Sequence, residues 1–151
     1  MVKSIKKRDG RIVEFNEEKI ENAIWNAFKA TGYKGKKKVS TDLTLKVVAT
    51  LDKSGKRPEV EMVQDLVEKV LMEEGYATVA KAYIIYRQKR AEIRKEKMQL
   101  LEKNDIDEVD KTLDLNALRV LKSRYLKKNP DGTLAETPKG LFTRIATHVG
   151  L

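Results

Sequence analysis

Cysteine is absent from this 151-residue chain, histidine occurs once, and proline occurs three times. Without cysteine there is no disulfide, no thiolate metal site, no thiol nucleophile and no cysteine-based radical chemistry within the chain. The lone histidine, His148, has no second histidine with which to build a metal site. No stretch of about 18 apolar residues is present, and the N-terminus lacks the apolar core of a signal peptide. A soluble, cytoplasmic protein is the expectation. Acidic residues are also short in number: 23 face 32 lysines and arginines, for a formal net charge of +9. That surplus predicts an anionic partner, whether nucleic acid, nucleotide or an acidic membrane.

What is present is enough for one ordinary domain, or a compact domain with a short appendage. Val2 and Ile5 precede the turn-like Lys7-Arg8-Asp9-Gly10, and Ile12, Val13 and Phe15 follow it. Asp-Gly between β-compatible runs predicts a hairpin closed by a type I′ turn, which needs positive φ at both central residues. Asn16 reads as an N-cap, with Glu17 and Glu18 favoured by the helix dipole in the first turn. Ile20, Ala23, Ile24, Ala27 and Phe28 then keep helical spacing up to Gly32 and the basic run Lys34 to Lys38, expected as an exposed loop.

Three further helices are expected by the same reasoning. Ser40, Thr41 and Asp42 offer cap chemistry for one that carries Leu43, Val47, Val48 and Leu51. Pro58 suits the first position of the next, whose stripe runs from Val60 to Leu71 and stops at Gly75. The last carries Tyr76, Val79, Ala80, Tyr83, Ile84 and Arg87, and reaches about Leu101. The fold class is therefore mainly α (α+β), a β-hairpin capping a four-helix bundle, followed by a short helical segment.

Beyond this, Glu102 to Asp110 reads as an acidic linker. Leu115, Leu118, Leu121 and Tyr125 predict a short helix, Asn129-Pro130-Asp131-Gly132 a turn, and Thr137-Pro138 the start of a last helix. In that helix Leu141, Phe142, Ile145, Ala146 and Val149 share one face. Two helices and a turn bury little core alone, so this segment is expected to belong to something larger or to dock on the bundle.

The clustered cations suggest where chemistry sits. On a two-stranded ribbon Ile5 and Lys7 point one way, Lys6 and Arg8 the other. The helix that starts at Asn16 offers free N–H groups close by, and Lys19 stands one turn into it. Together these form a phosphate seat. Each hydrogen bond to a charged group nets roughly 1.5–3 kcal/mol, and micromolar binding needs about 8 kcal/mol. Three or four such contacts with some base stacking suffice. The competing reading makes the same lysines a solvated hairpin edge that discourages aggregation. No GxxxxGK motif occurs, so a P-loop is excluded, and the acid-rich stretch Glu59 to Glu74 reads as a hydrated helix face.

The order of hairpin, Lys7-Arg8-Asp9-Gly10, Phe15, Lys19-Ile20, Ala23-Ile24 and the late Tyr83 to Arg90 segment resembles the ATP-cone domain. That domain is a regulatory module at the N-termini of many ribonucleotide reductases. The resemblance implies allosteric binding of ATP or dATP, with Mg2+, and control of an attached reductase in deoxyribonucleotide synthesis. Carried over to matching positions, it implies that Lys7, Arg8 and Lys19 contact phosphates. It also places Arg90 at a family-basic position, and Asn16 and Ile20 at the helix start lining the nucleotide. Val13 departs from relatives that are acidic there.

The segment from Asp114 to Gly150 resembles the opening of a reductase catalytic domain, and the short gap before Arg124-Tyr125-Leu126 resembles the adenosylcobalamin-dependent class. The implied organisation is a regulatory domain over residues 1–97, a linker over 98–111, and a truncated catalytic start over 112–151. The reductase activity, and any adenosylcobalamin, would reside in the parent enzyme. Implied partners are adenine nucleotides, the remainder of the reductase or its other subunits, and a homo-oligomer, with no membrane. The alternative of another class is a basic helical nucleic-acid-binding or transcription-regulatory protein.

Overall fold

The computed structural model describes residues 1–150 and divides the chain into two compact units, Met1–Gln88 and Lys89–Leu151. The chain is mainly helical with an N-terminal antiparallel hairpin, as the spacing predicts.

In the first unit, β1 (Ser4–Lys6) pairs with β2 (Ile12–Glu14) in the register Ser4–Glu14, Ile5–Val13, Lys6–Ile12. The turn is not type I′. Among the described residues only Glu102 and glycines have positive φ, so Asp9 does not. Instead the Gly10 N–H donates to the Lys7 carbonyl at 3.0 Å, and the Lys7 N–H to the Arg11 carbonyl at 2.7 Å. Gly10 lies at φ 89°. This is the three-residue loop in which a left-handed glycine closes the hairpin with a bulge. The Asp9 carboxylate accepts the Arg11 N–H at 2.9 Å and pairs with the Arg11 guanidinium, which fixes the tip.

Helix α1 (Glu17–Ala30) is capped by the Asn16 side chain, which accepts the Glu18 N–H at 3.0 Å. Helix α2 (Lys38–Ser54) starts earlier than Ser40-Thr41-Asp42 predict. Ser40 lies inside its first turn, fully buried, and its hydroxyl donates to the Lys37 carbonyl at 2.6 Å. A hydroxyl used on the preceding turn is unavailable as an N-cap.

Pro58 likewise precedes its helix rather than opening it, since α3 (Val60–Glu73) begins only after Glu59, whose backbone is extended. The Pro58 carbonyl accepts the Lys6 N–H, and Lys6 and Glu59 form a parallel bridge. The hairpin is thereby fastened to the start of α3. Helix α4 (Ala77–Leu100) follows Gly75. Ile20, Ile24, Phe28, Leu43, Val47, Leu51, Val63, Val67, Leu71, Val79, Ala80 and Tyr83 form the core. Phe28 meets Tyr33 and Tyr76 edge-on, with ring centroids 4.9 and 5.0 Å apart.

In the second unit, the acidic stretch expected as a linker contains a short helix, α5 (Glu108–Thr112), closed by a capping box between Asp107 and Asp110. Ile106 and Asp110 are buried there. The Lys97 ammonium donates to the Asp110 carbonyl at 3.0 Å, and Lys103 pairs with both Asp107 and Asp110. Helix α6 (Leu115–Arg124) and helix α7 (Pro138–His148) follow, the latter capped by Thr137 with proline at its first position.

The core of this unit is Leu101, Leu118, Leu126 and Leu141. Two apolar faces depart from expectation. Tyr125 is exposed and Leu126 takes the buried position, because the chain leaves helical geometry at Tyr125. On α7 Leu141 is buried, whereas Phe142 and Ile145 are 44% and 46% exposed, and Val149 just past the helix end is 58% exposed.

Candidate functional site

Fastening the hairpin to α3 creates a cleft. Its floor and walls are apolar: Ile5 and Phe15 from the ribbon, Ile20 and Ala23 from α1, and Val60, Val63 and Val67 from α3. Polar groups sit among them: Lys7 from the turn, Glu14, Asn16 and Lys19 around the start of α1, Gln64 from α3 and Tyr83 from α4. The cleft has a cavity volume of about 180 Å³ and is open to solvent at its mouth, smaller than the roughly 300–1,000 Å³ usual for small-molecule sites. An apolar wall with a few convergent polar groups and two cations suits a flat ring system that carries anionic groups.

Four of the six residues singled out from the sequence line this cleft: Lys7, Asn16, Lys19 and Ile20. The alternation along the ribbon explains Lys7, which shares its face with Ile5. Arg8 takes the opposite course. Its Nε donates to Glu61 Oε1 at 2.7 Å and its Nη2 to Gln64 Oε1 at 3.3 Å, so it lies against α3 beside a cleft residue. Arg90 falls in the second unit, where it is exposed.

Sequence reasoning missed a charged cluster. Arg87 binds Glu61 at 2.7 Å, Asp65 at 2.8 Å and Glu68 at 2.7 Å. Burial opposes its charge, but the hydrogen bonds to Asp65, Glu61 and Glu68 outweigh that and hold it above the ordinary guanidinium value. In turn the hydrogen bond from Arg87, opposed by partial burial and reinforced by Arg8, holds the Glu61 carboxyl below its ordinary value. The signal was available: Glu61, Asp65 and Glu68 recur at helical spacing on one face of α3.

Tyr83 is buried, yet it also lines the cleft. Burial pushes its phenol up to about 12. Among the described residues no group of three or more His, Cys, Asp or Glu side chains is arranged to hold a metal ion. No helix of the described residues is long and apolar enough to cross a membrane.

Comparison with known families shows which family the chain belongs to. The family described as ATP cone domain matches residues 3–92. The chain belongs to the ATP cone domain family. Residues 111–151 match a second family, the ribonucleotide reductase all-alpha domain. A vitamin B12-dependent ribonucleoside-diphosphate reductase of Thermoplasma acidophilum is 44% identical over 156 residues, covering the whole of this chain and 19% of the relative. The enzyme of the same name from Mycobacterium tuberculosis strain H37Rv is 37% identical over 142 residues, covering 94% of this chain and 19% of its own length. The ribonucleoside-diphosphate reductase subunit alpha of Chlamydia pneumoniae is 42% identical over 104 residues, 64% of this chain and 10% of the relative. The chain thus spans about a fifth of the length of the first two of these relatives. An ATP cone followed by the all-alpha domain of a reductase fits an allosteric regulatory module.

Proposed function

We propose that the cleft beneath the hairpin is the adenine-nucleotide site of this cone, and that its occupancy by ATP or dATP controls a larger reductase. The observation that carries the reading is the convergence of Lys7 and Lys19 on one apolar-walled cleft at the start of α1. The apolar wall takes the purine. Gln64 and Tyr83 supply hydrogen-bonding groups within it, and the two ammonium groups with the α1 N-terminus take the phosphates. Asn16 caps that helix through its side chain, so its contribution is to hold the N-terminus in place. Ile20 packs against the nucleoside. Mg2+ travels with the triphosphate.

The parent is a ribonucleoside-diphosphate reductase of the adenosylcobalamin-dependent class, working in the cytoplasm, possessing cysteines and a cofactor site outside this chain. Support comes from the names of two relatives, one matching the whole of this chain and one 94% of it. ATP and dATP shift the parent between states only through a difference in affinity for those states, and couplings of about 1–3 kcal/mol are typical of such switches. A 2′-hydroxyl matched or unmatched by a buried polar partner provides a difference of that order.

Titration calorimetry of ATP into the 151-residue chain tests the site. The wild-type chain is expected to bind, and Lys7→Ala to lose binding while retaining its circular-dichroism spectrum and unfolding midpoint. Equal affinity in the two proteins removes the phosphate assignment. Duplex DNA binding that ATP does not displace would favour the nucleic-acid reading instead.

A further inference from the structure

Glu61 holds two arginines with one carboxylate. Its Oε1 accepts from Arg8 Nε at 2.7 Å and its Oε2 from Arg87 Nη2 at 2.7 Å. Arg8 belongs to the hairpin turn, next to Lys7 in the cleft, and its second partner Gln64 lines the cleft as well. The two arginines differ in what else they have. Arg87 keeps Asp65 and Glu68 at 2.8 and 2.7 Å, so its charge is matched without Glu61. Among the described residues, Glu61 is the carboxylate in ion-pair contact with Arg8.

We infer that Glu61 is an internal substitute for a nucleotide phosphate, holding Arg8 in the free protein and yielding it to the phosphates when nucleotide binds. The inference rests on the cleft being the nucleotide site. Both members of the Arg8–Glu61 pair are well exposed, at 37% and 53% of side-chain surface. Such pairs are screened and weakly held. A triphosphate carries more charge than a carboxylate, and its oxygens suit the planar fork of a guanidinium. Arg8 therefore exchanges partners at small cost. The exchange breaks a contact between the hairpin turn and α3, and it frees the carboxylate that also binds Arg87. The filling of the cleft is thereby registered at a named residue of α4, with Asp65 and Glu68 left to hold Arg87.

The test compares ATP affinities of the wild-type chain, Glu61→Gln and Asp65→Asn by calorimetry at one ionic strength. Asp65→Asn removes the same charge from the same helix but no partner of Arg8, so it reports the general effect of making α3 less acidic. Glu61→Gln is expected to bind ATP about two- to fivefold more tightly, matching the strength of an exposed pair, and Asp65→Asn to bind like wild type. Weaker or unchanged binding by Glu61→Gln, in a chain that binds ATP, overturns the inference and makes Glu61 a residue that merely positions Arg8. An equal gain in both variants overturns it too, as a bulk charge effect. No binding by the wild-type chain overturns the site reading itself, and this inference with it.

Discussion

The Lys6 N–H donates to the Pro58 carbonyl at 3.0 Å, and that single backbone contact joins the hairpin to the entrance of α3. The adjacent parallel bridge between Lys6 and Glu59, and the hydrogen bond from Arg57 Nε to Ser4 Oγ at 3.0 Å, extend the attachment. The ribbon buries little by itself, since two strands of three residues are marginal in water. Its position over the cleft depends on this junction. Lys6→Pro deletes the donor while leaving the cleft residues unchanged. It is expected to cost about 1–3 kcal/mol of stability, read as a lower urea midpoint, and to weaken ATP binding by loosening the turn that carries Lys7. Unaltered stability and affinity would show that the junction does not position the ribbon.

Lys19 provides a second cation from an element that is independent of the ribbon. Because it stands on a formed helix, Lys19→Ala should leave the fold intact and act on the ligand alone. Loss of one charge-assisted hydrogen bond, about 1.5–3 kcal/mol, corresponds to roughly a tenfold to hundredfold rise in Kd for ATP. Adenosine, which has no phosphates, should bind the variant as it binds the wild type. A similar loss for both ligands would move Lys19 away from the phosphates.

The buried phenol of Tyr83 gives an alkaline signature. Its ordinary value is near 10, and burial raises it to about 12, with Arg87 opposing and the carboxylates of Glu68, Asp65 and Glu61 assisting. Below pH 10 the phenol is protonated in folded and unfolded chains alike, so its contribution is constant. Between about 10 and 12 the unfolded chain releases the proton first, and stability falls with rising pH. The total for this group is on the order of 2–3 kcal/mol. Tyr83→Phe should flatten that part of the profile while leaving the neutral-pH midpoint within the error of a conservative change. Urea midpoints measured from pH 9 to 12 check this, and an identical alkaline slope in the variant would contradict it.

In the second unit the decisive ion pair joins Lys103 to Asp110, which is wholly buried. Burial opposes the Lys103 charge, but hydrogen bonds to Asp110 and Asp107 outweigh it and hold the ammonium above its ordinary value. Removing the lysine takes the counter-charge from a buried carboxylate that keeps the Asp107 N–H at 3.2 Å, a change that costs up to about 3–5 kcal/mol. Lys103→Ala should therefore lower or abolish the unfolding transition of this unit, whereas Lys111→Ala, which touches an exposed Glu108, should be nearly silent. Equal effects from the two would refute the importance given to Asp110.

Much of this fold was legible because its signals are local. The caps at Asn16 and Thr137 and the helix ends near Gly32 and Gly75 follow from residues within one turn of the boundary. The errors arise where a partner lies far along the chain. Asp9-Gly10 matches both a two-residue and a three-residue loop, and the strand register decides between them. Asn129 to Thr133 repeats the same geometry: the Gly132 N–H donates to the Asn129 carbonyl at 2.9 Å, and the Asn129 N–H to the Thr133 carbonyl at 2.8 Å. Ser40 looked like a cap, but its burial in the core moved the helix start back to Lys38. For the site, Lys7 and Lys19 were readable from ribbon alternation and helix placement. The Arg8–Glu61–Arg87 chain was not, because its members come from three elements separated by 53 and 26 positions.

The central claim is that adenine nucleotide occupies the cleft between the ribbon, α1 and α3. Amide NMR shifts of the 151-residue chain during titration with Mg-ATP test it most directly. The largest changes are expected at Lys7, Asn16, Lys19, Ile20 and Gln64. Saturable shifts concentrated instead on Lys34 to Lys38 or on α6 and α7, with those five residues unmoved, would contradict the account.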